Sequence, residues 1–272
     1  MKSIDKEIDI VIHLACISND VSFELNEALS EDLNFKAFKP LISFFKEKGV
    51  KRFINASSSS VYGFSDSPNV TEEHPLVPLT LYNKFKGLCE PILFDYHDNN
   101  FVCTNVRPAT LCGYSPRLRL DLSVNILTHH ATKNNIIKVF GGSQMRPNLH
   151  IKDMCNFYEF LIDQDPKIVG GQTYNISEEN ISIEMIALKI QKLFKQNKNK
   201  DVKIERSLSN DDKRSYYLNS DKAKKFLKFK LKHSVDDAII ELASILEQKK
   251  FHDSFDNNIY YNVKRLKDLN IS

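Results

Sequence analysis

The apolar residues of the first hundred positions occur in two kinds of pattern. Residues 8–15, 51–56 and 101–107 are short runs of mostly apolar and β-branched residues without strict alternation. Between these runs, apolar residues recur at helical spacing over residues 31–48 and 81–97. Short continuous runs are typical of strands buried on both faces of a parallel sheet. The order strand, helix, strand, helix, strand therefore predicts an α/β fold with helices over the faces of a parallel sheet.

Two residues mark the predicted helices. Gly49 is expected to end the first helix, because glycine readily adopts the left-handed conformation of a helix C-terminus. Pro91 falls inside the second helix and is expected to bend or break it, because proline lacks the N–H that the helix requires.

The pattern changes after residue 113. Helical spacing predicts helices over residues 122–132 and 151–162, with a strand over 136–140 between them. The later predicted elements are a strand through Tyr174 and Ile176, a helix through Ile183, Ile186, Ile190 and Phe194, and a last long helix carrying Val235, Ile239, Leu242 and Leu246. Ser234 and Asp237 form a possible capping pair for that last helix. This half is therefore predicted to be α+β and to lie against the sheet, with a ligand site at the seam.

Composition excludes several classes of protein. Apolar residues make up 42% of the 272 residues, charged residues 27%, and the net charge is only +3, which does not favour nucleic-acid or membrane-surface binding. The five cysteines are scattered without a C-x-x-C pair, which argues against a disulfide framework and a zinc site. The start of the chain is charged and lacks the apolar core of a signal peptide, so a cytoplasmic location is expected.

Tyr82 and Lys86 place a phenol and an ammonium four residues apart in the second predicted helix. This spacing puts both groups on one face, one turn apart. A nearby ammonium lowers the pKa of a phenol because it favours the phenolate, so Tyr82 is a candidate base for an alcohol proton. Taken alone, the pair also fits an ordinary solvated helix face.

A serine run follows the second predicted strand. It comprises Ser57, Ser58, Ser59 and Ser60, followed by Val61, Tyr62 and Gly63. Serines in this position often cap their own loop backbone. In doubly wound folds, however, ligands bind at the carboxyl end of parallel strands, so the run is also a candidate site.

In chain order, these segments resemble the extended short-chain dehydrogenase/reductases, the NAD-dependent epimerases and dehydratases that act on nucleotide sugars. The family's loop S-S-x-x-V-Y-G matches residues 57–63, and its segment G-x-G-x-x-x-R-x-x-x-H-V-x-D is close to residues 141–153. The resemblance extends from about residue 8 to residue 247. It implies that residues 1–112 form a Rossmann-like doubly wound domain, N-terminally truncated. Residues 113–272 would form most of a smaller α+β substrate-binding region, interleaved with the first.

The resemblance also implies roles for individual residues. It assigns catalysis to Tyr82, Lys86 and Ser58. It assigns contacts with the cofactor, NAD or NADP, to His13, Leu14, Ala15, Asn34, Ser57, Lys86, Arg107 and Pro108. It assigns contacts with the substrate, a nucleotide-diphosphate sugar, to Ser59, Asn125, Arg146 and Arg214. Both substrate arginines would face the diphosphate, a role that suits the guanidinium fork.

The family begins with a strand and a glycine-rich turn that lets the cofactor pyrophosphate approach a helix N-terminus. None of the eight glycines of this sequence forms such a turn. The resemblance implies that about 60 residues of the family's fold precede the first strand found here. A fragment and a natural short form both fit this pattern, and the first strand is expected to have an unpaired edge. NAD is accordingly expected to bind this chain poorly.

The resemblance implies an epimerase-like reaction through a transient keto sugar. The family's dehydratases carry an Asp-Glu pair where Ser59 and Ser60 stand here, and serine hydroxyls are not acids or bases near neutral pH, so dehydration is not expected. A keto-sugar reductase would use the same residues, and a non-catalytic relative that binds nucleotides or a partner subunit is the alternative from another class. A homodimer through helices 31–48 and 81–97 is expected from the family.

Overall fold

The computed structural model describes residues 7–207, 215–251 and 253–271. Its strands are β1 (Ile10–His13), β2 (Arg52–Ala56), β3 (Val102–Pro108), β4 (Thr110–Cys112), β5 (Ile136–Phe140), β6 (Met145–His150), β7 (Gln172–Ile176), β8 (Glu179–Ser182) and β9 (Lys203–Ser207). Its α-helices are α1 (Asp20–Glu24), α2 (Glu27–Glu31), α3 (Phe38–Glu47), α4 (Leu81–Asp95), α5 (Ser123–Asn134), α6 (Ile151–Asp163), α7 (Pro166–Val169), α8 (Ile183–Lys198), α9 (Val235–Ile245) and α10 (Asn262–Asp268).

The main sheet has four parallel strands in the order β1-β2-β3-β7, as the runs of apolar residues predicted. Successive side chains face opposite sides of the sheet. Phe53 therefore packs with helices α3 and α4 on one face, while Ile54 belongs to the larger core formed with α6 on the other. Both are fully buried. Within the described residues, β1 pairs with β2 alone and forms an edge.

The second half contains two smaller sheets. Strands β4, β6 and β8 form one of them, and the parallel pair β5-β9 forms the other. Helices α5, α8 and α9 pack against each other around a separate apolar core, and α5 and α8 also pack against β5. Strand β7 crosses back into the main sheet, so the two halves share an element. The division at residue 113 stays a prediction.

Two local predictions can be compared directly with the structure. The expected capping box is confirmed: the Ser234 side chain accepts from the Asp237 backbone, and the Asp237 side chain accepts from the Ser234 backbone. The expected break at Pro91 does not occur, because α4 continues through that residue, and the alternative of a bend stays a prediction. The helix is held on both sides of the proline, by buried Glu90 before it and by fully buried Leu93 after it. These contacts outweigh the lost hydrogen bond.

The helix predicted over residues 31–48 is composite. Helix α2 precedes a π-helical turn, Asp32–Lys36, which leads into α3. Such turns often occur at functional positions, and this one carries the buried side chain of Asn34. None of the helices in the described part of the chain combines the length and apolar character needed to span a lipid bilayer.

Candidate active site

A cavity of about 930 Å³ opens at the carboxyl ends of β2, β3 and β4. Ser57 directly follows β2, Pro108 ends β3, and Cys112 ends β4. This is the edge at which ligands bind in doubly wound folds. The predicted site residues that line the cavity are Ser57, Ser58, Ser59, Tyr82, Pro108, Asn125 and Arg146. The structure therefore brings together residues from both halves of the sequence.

Tyr82 stands in the first turn of α4, on the cavity wall. Thr80 caps this helix by accepting a hydrogen bond from the Asn83 backbone at 3.3 Å, which fixes where the first turn begins. Burial raises the pKa of the Tyr82 phenol above its ordinary value of 10.0. The neighbouring Cys16 and Asp20 raise this pKa further, whereas the Arg119 guanidinium and a hydrogen bond with the Asn19 backbone oppose the rise.

Lys86 is buried one turn further along α4. Its Nζ donates to the Ala56 carbonyl at 2.7 Å, at the end of β2. The expected lowering of the Tyr82 pKa by Lys86 does not appear in this arrangement, since burial dominates and the ammonium is directed to the sheet. The charge of Lys86 instead affects the pKa of His13. Burial is the larger cause and the lysine charge the smaller one, and together they lower this pKa to about 4.

The serine run forms a short 3-10 helix, Ser59–Tyr62, capped by the Ser58 side chain. The Ser58 hydroxyl lies 2.7 Å from the Ser60 hydroxyl, and Ser60 in turn donates to the Asn83 side chain of α4. This chain of contacts ties the catalytic candidate Ser58 to the helix that carries Tyr82. Ser59 is buried, and its hydroxyl lies 3.0 Å from the Tyr216 hydroxyl.

Arg107 is buried near the end of β3. It does not line the cavity, and its side chain is 7% exposed. Its Nε and Nη2 donate to the Glu90 carboxylate at 3.0 and 2.5 Å, and Nη1 donates to the Tyr62 hydroxyl at 2.6 Å. The hydrogen bonds and charge of Glu90 raise the Arg107 pKa against the opposing effect of burial. The guanidinium is therefore engaged in a buried ion pair, and the predicted cofactor contact of Arg107 stays a prediction.

Ser57 shares this ion pair. Its hydroxyl donates to Glu90 at 2.6 Å, although the residue also borders the cavity. The expected cofactor contact through this hydroxyl therefore competes with a charged acceptor inside the fold.

Asn34 fixes the loop that follows β1. Its side chain accepts from the Ile17 N–H at 2.8 Å and donates to the Ile17 carbonyl at 2.9 Å. Both backbone groups of one loop residue are thereby satisfied by one buried amide. The predicted contact residues Leu14 and Ala15 lie in the same loop and are exposed, Leu14 to 57%. His13, at the end of β1, packs against the ring of Phe38 with 5.4 Å between centroids.

Two further substrate candidates, Asn125 and Arg146, line the same cavity. Asn125, on α5, accepts from the Gly113 N–H at 3.0 Å and donates to the Arg119 carbonyl at 2.8 Å. Its amide therefore shapes the loop between β4 and α5. Arg146, on β6, lines the cavity and donates to the Met145 carbonyl at 3.0 Å. Arg214 lies outside the described residues.

Sequence reasoning missed the cationic loop before α5. Arg117, Arg119 and Asp121 line the cavity, and Arg119 Nε donates to Asp121 at 2.9 Å. The available signal was two arginines and an aspartate at alternate positions, beginning four residues after Gly113. Gly113 itself has a positive φ of 100°. A Cβ there would lie 3.1 Å from the His150 ring, so glycine permits the turn that starts this loop.

The parallel sheet and the cavity at its carboxyl edge define the class of the protein as a Rossmann-type α/β protein. The sequence matches the NAD dependent epimerase/dehydratase family over residues 1–177. The chain belongs to that family.

Comparisons with individual proteins agree with this assignment. The chain is 25% identical over 193 residues to UDP-glucose 4-epimerase of Bacillus subtilis, covering 63% of this chain and 56% of that protein. It is 25% identical over 257 residues to UDP-glucuronic acid decarboxylase 4 of Arabidopsis thaliana, covering 91% of this chain and 56% of that protein. The chain thus spans about half the length of these curated relatives.

A solved structure is also similar. UDP-glucuronic acid 4-epimerase of Bacillus cereus, solved with UDP-glucuronic acid and NAD, superposes with a TM-score of 0.75 at 25% identity. The match covers 89% of this chain and 76% of that one.

Proposed function

We propose that this chain is a nucleotide-sugar epimerase that works with NAD(P) through a transient keto sugar. The observation that carries the proposal is that Tyr82 and Ser58 share one cavity with Asn125 and Arg146. Two hydroxyl groups can hydrogen-bond one sugar oxygen, while the Arg146 guanidinium and the Asn125 amide of the same cavity can bind the rest of a nucleotide sugar. The two curated relatives described above are named as enzymes of UDP-sugars, and this supports the substrate class.

In the proposed reaction, Tyr82 and Ser58 hydrogen-bond the sugar hydroxyl that is oxidised. The phenolate of Tyr82 takes the hydroxyl proton, and the resulting phenol returns it to the keto oxygen after the sugar has presented its other face. Ser58 stays a hydroxyl throughout, and its contact with Ser60 orients it.

Proton transfer at Tyr82 depends on the groups around it. Burial and the Asp20 carboxylate hold the phenol in its protonated form, and Arg119 favours the phenolate. The protonated form is the one needed to return a proton to a keto oxygen. Removal of the proton from the sugar hydroxyl needs the phenolate, and it therefore requires additional positive charge beside Tyr82 when the reactants are bound.

The described residues fit the nicotinamide end of NAD. Leu14 offers an apolar side chain at the end of β1, Asn34 fixes the loop beyond it, and Lys86 is the cation near the end of β2. When bound, the cofactor would supply hydride acceptance and return at the sugar carbon. The family's glycine-rich turn does not occur in this sequence, so the residues described here offer no corresponding cradle for the pyrophosphate.

Ser59 and Ser60 support epimerisation over dehydration. Their hydroxyls are engaged by Tyr216 and Asn83, and neither side chain is a carboxylic acid or base. The proposal further includes a cytoplasmic location and a homodimer. Exposed apolar residues on the two predicted dimer helices, Leu33 and Leu88, favour contact between copies, which sedimentation would test.

The experiment is a comparison of the unmodified chain with Tyr82→Phe. Calorimetric titrations would measure binding of UDP-glucose, UDP-glucuronic acid and NAD, and chromatography would follow epimer formation at saturating NAD. We expect sugar-nucleotide binding by both proteins, and turnover lost in Tyr82→Phe, because only the hydroxyl is removed. Tyr217→Phe is the matched control, since Tyr217 is exposed and lies outside the cavity lining.

Three results would count against the proposal. Failure of the unmodified chain to bind any UDP-sugar would contradict the substrate class. Binding without turnover, at NAD concentrations shown to saturate the chain, would favour the non-catalytic alternative. Equal turnover in Tyr82→Phe and the unmodified chain would remove Tyr82 from the reaction.

A further inference from the structure

The C-terminal segment of the chain, residues 253–271, contacts residues that line the cavity through the buried residue Asn262. Asn262 is 6% exposed and stands at the start of α10. Its Oδ1 accepts from Arg117 Nη2 at 2.8 Å, and its Nδ2 donates to the Ser18 hydroxyl at 2.9 Å. Its backbone N–H donates to Asp121 Oδ2 at 2.9 Å. All three partners of Asn262 line the cavity.

These partners belong to two different walls. Ser18 lies in the loop after β1, next to Asn19, whose backbone hydrogen-bonds the Tyr82 phenol. Arg117 and Asp121 lie in the loop between β4 and α5. Asn262 therefore connects the cavity wall next to Tyr82 with the cationic wall formed by the loop between β4 and α5.

The segment is itself anchored at this loop. The Leu120 N–H donates to the Tyr260 carbonyl at 2.9 Å. The side chains of Leu118 and Leu120 are fully buried in a small apolar cluster with Phe251, and Tyr260 packs against that cluster. Burial of these side chains holds the backbone at Asn262 in place, so its amide is presented in one orientation.

The hydrogen bond with Asn262 orients the Arg117 side chain. The residue is exposed, and among the described residues Nη2 is the one guanidinium nitrogen of Arg117 with a hydrogen bond. A long exposed arginine samples many rotamers, and fixing it before a ligand arrives reduces the entropy that binding must overcome. The Asp121 carboxylate orients Arg119 in the same way, and Asn262 in turn binds Asp121.

We propose that Asn262 is a positioning residue, and that the C-terminal segment is a clasp that holds the two cavity walls together and directs Arg117 and Arg119 toward an anionic group of the ligand. This inference rests on the proposed function for the identity of the ligand, a nucleoside diphosphate or its sugar ester. The clasp itself rests only on the contacts of Asn262.

The test compares Asn262→Ala and Asn262→Asp with the unmodified chain. Asn258→Ala is the matched control, because the Asn258 side chain bonds within the segment, to Asp268 at 3.0 Å. Calorimetry would measure the affinity for UDP and for uridine. Hydrogen exchange of residues 16–20 and 114–122 would report the clasp without any ligand.

For Asn262→Ala we expect an affinity for UDP about tenfold lower, which corresponds to roughly 1.4 kcal/mol, and an unchanged affinity for uridine. Exchange should rise in both loops. Asn262→Asp keeps the shape of the side chain and should therefore fold. Its carboxylate would neutralise Arg117, so UDP binding should weaken with uridine unaffected. Asn258→Ala should match the unmodified chain in all of these measurements.

Equal loss of UDP and uridine affinity, or exchange rates unchanged in both loops, would overturn the clasp. Failure of the unmodified chain to bind UDP or any UDP-sugar would instead contradict the proposed function. In that case the exchange rates alone would decide whether Asn262 holds the two loops.

Discussion

The Arg107–Glu90 ion pair makes a sharp prediction about stability. The two side chains are 7% and 5% exposed, and Glu90 accepts two hydrogen bonds from Arg107 and one from Ser57. Glu90→Gln keeps the shape of the side chain but removes its charge, so the Arg107 guanidinium is left buried without a counter-charge. Breaking a buried pair in this way costs about 3–5 kcal/mol. Two lost charge-assisted hydrogen bonds, at about 1.5–3 kcal/mol each, lead to a similar figure.

Urea denaturation followed by far-UV circular dichroism would measure this loss. With a slope of about 3 kcal/mol per molar, the midpoint should fall by roughly 1–2 M. The double variant Glu90→Leu/Arg107→Met removes both charges. It should therefore lose less stability than the sum of the losses in the single variants Glu90→Leu and Arg107→Met. Lys225→Ala is the control, because its pair with Asp221 is exposed, and its midpoint should not change measurably.

A loss in the free energy of unfolding below about 1 kcal/mol in Glu90→Gln would refute the reasoning, since a buried charge without a counter-charge destabilises the fold by more than that. Strict additivity in the double variant would also refute it, because it would mean that the two side chains do not interact. A large loss of stability with coupling would confirm that Arg107 belongs to the protein core.

Three further predictions concern local features. Asn34→Ala should lower the free energy of unfolding by about 1–3 kcal/mol, because it leaves both Ile17 backbone groups unbonded, and a urea midpoint equal to that of the unmodified chain would contradict this. Ser234→Ala should cost about 1 kcal/mol through the lost helix cap, whereas an unchanged melting curve would show that the capping box contributes nothing. His13 should titrate near pH 4 by NMR. Its folded pKa lies below its ordinary 6.5, so the unfolded state binds the extra proton, and stability should fall as pH drops from about 6.5 toward 4; His13→Gln should remove part of this slope.

Local pattern predicted most elements of the main sheet, because their apolar residues are contiguous in sequence. Runs around Val11, Ile54 and Val106 became the parallel strands β1, β2 and β3. Helical spacing likewise predicted α4, yet the effect of Pro91 was overestimated, since the contacts that hold the helix come from Arg107 in another element. Propensity describes the isolated segment, and packing against distant residues can override it.

The candidate site divides in the same way. The spacing of Tyr82 and Lys86 and the serine run after a strand are short-range features, so the sequence was sufficient to place them on one helix and one loop. The sequence did not predict the direction in which each side chain points. In the structure, Lys86 donates a hydrogen bond to the Ala56 carbonyl, and Ser57 donates one to the Glu90 carboxylate.

The sequence by itself determined the parallel α/β architecture, the family resemblance and the order of the site motifs, because each depends on residues close together in the chain. Only the tertiary structure decided which charged and polar groups meet one another. Arg107 found a carboxylate 17 positions away, and Asn262 found Ser18 across 244 positions. The physical reason is that a buried polar group must be satisfied by whichever partner packing brings within hydrogen-bond distance, and packing is a property of the whole fold.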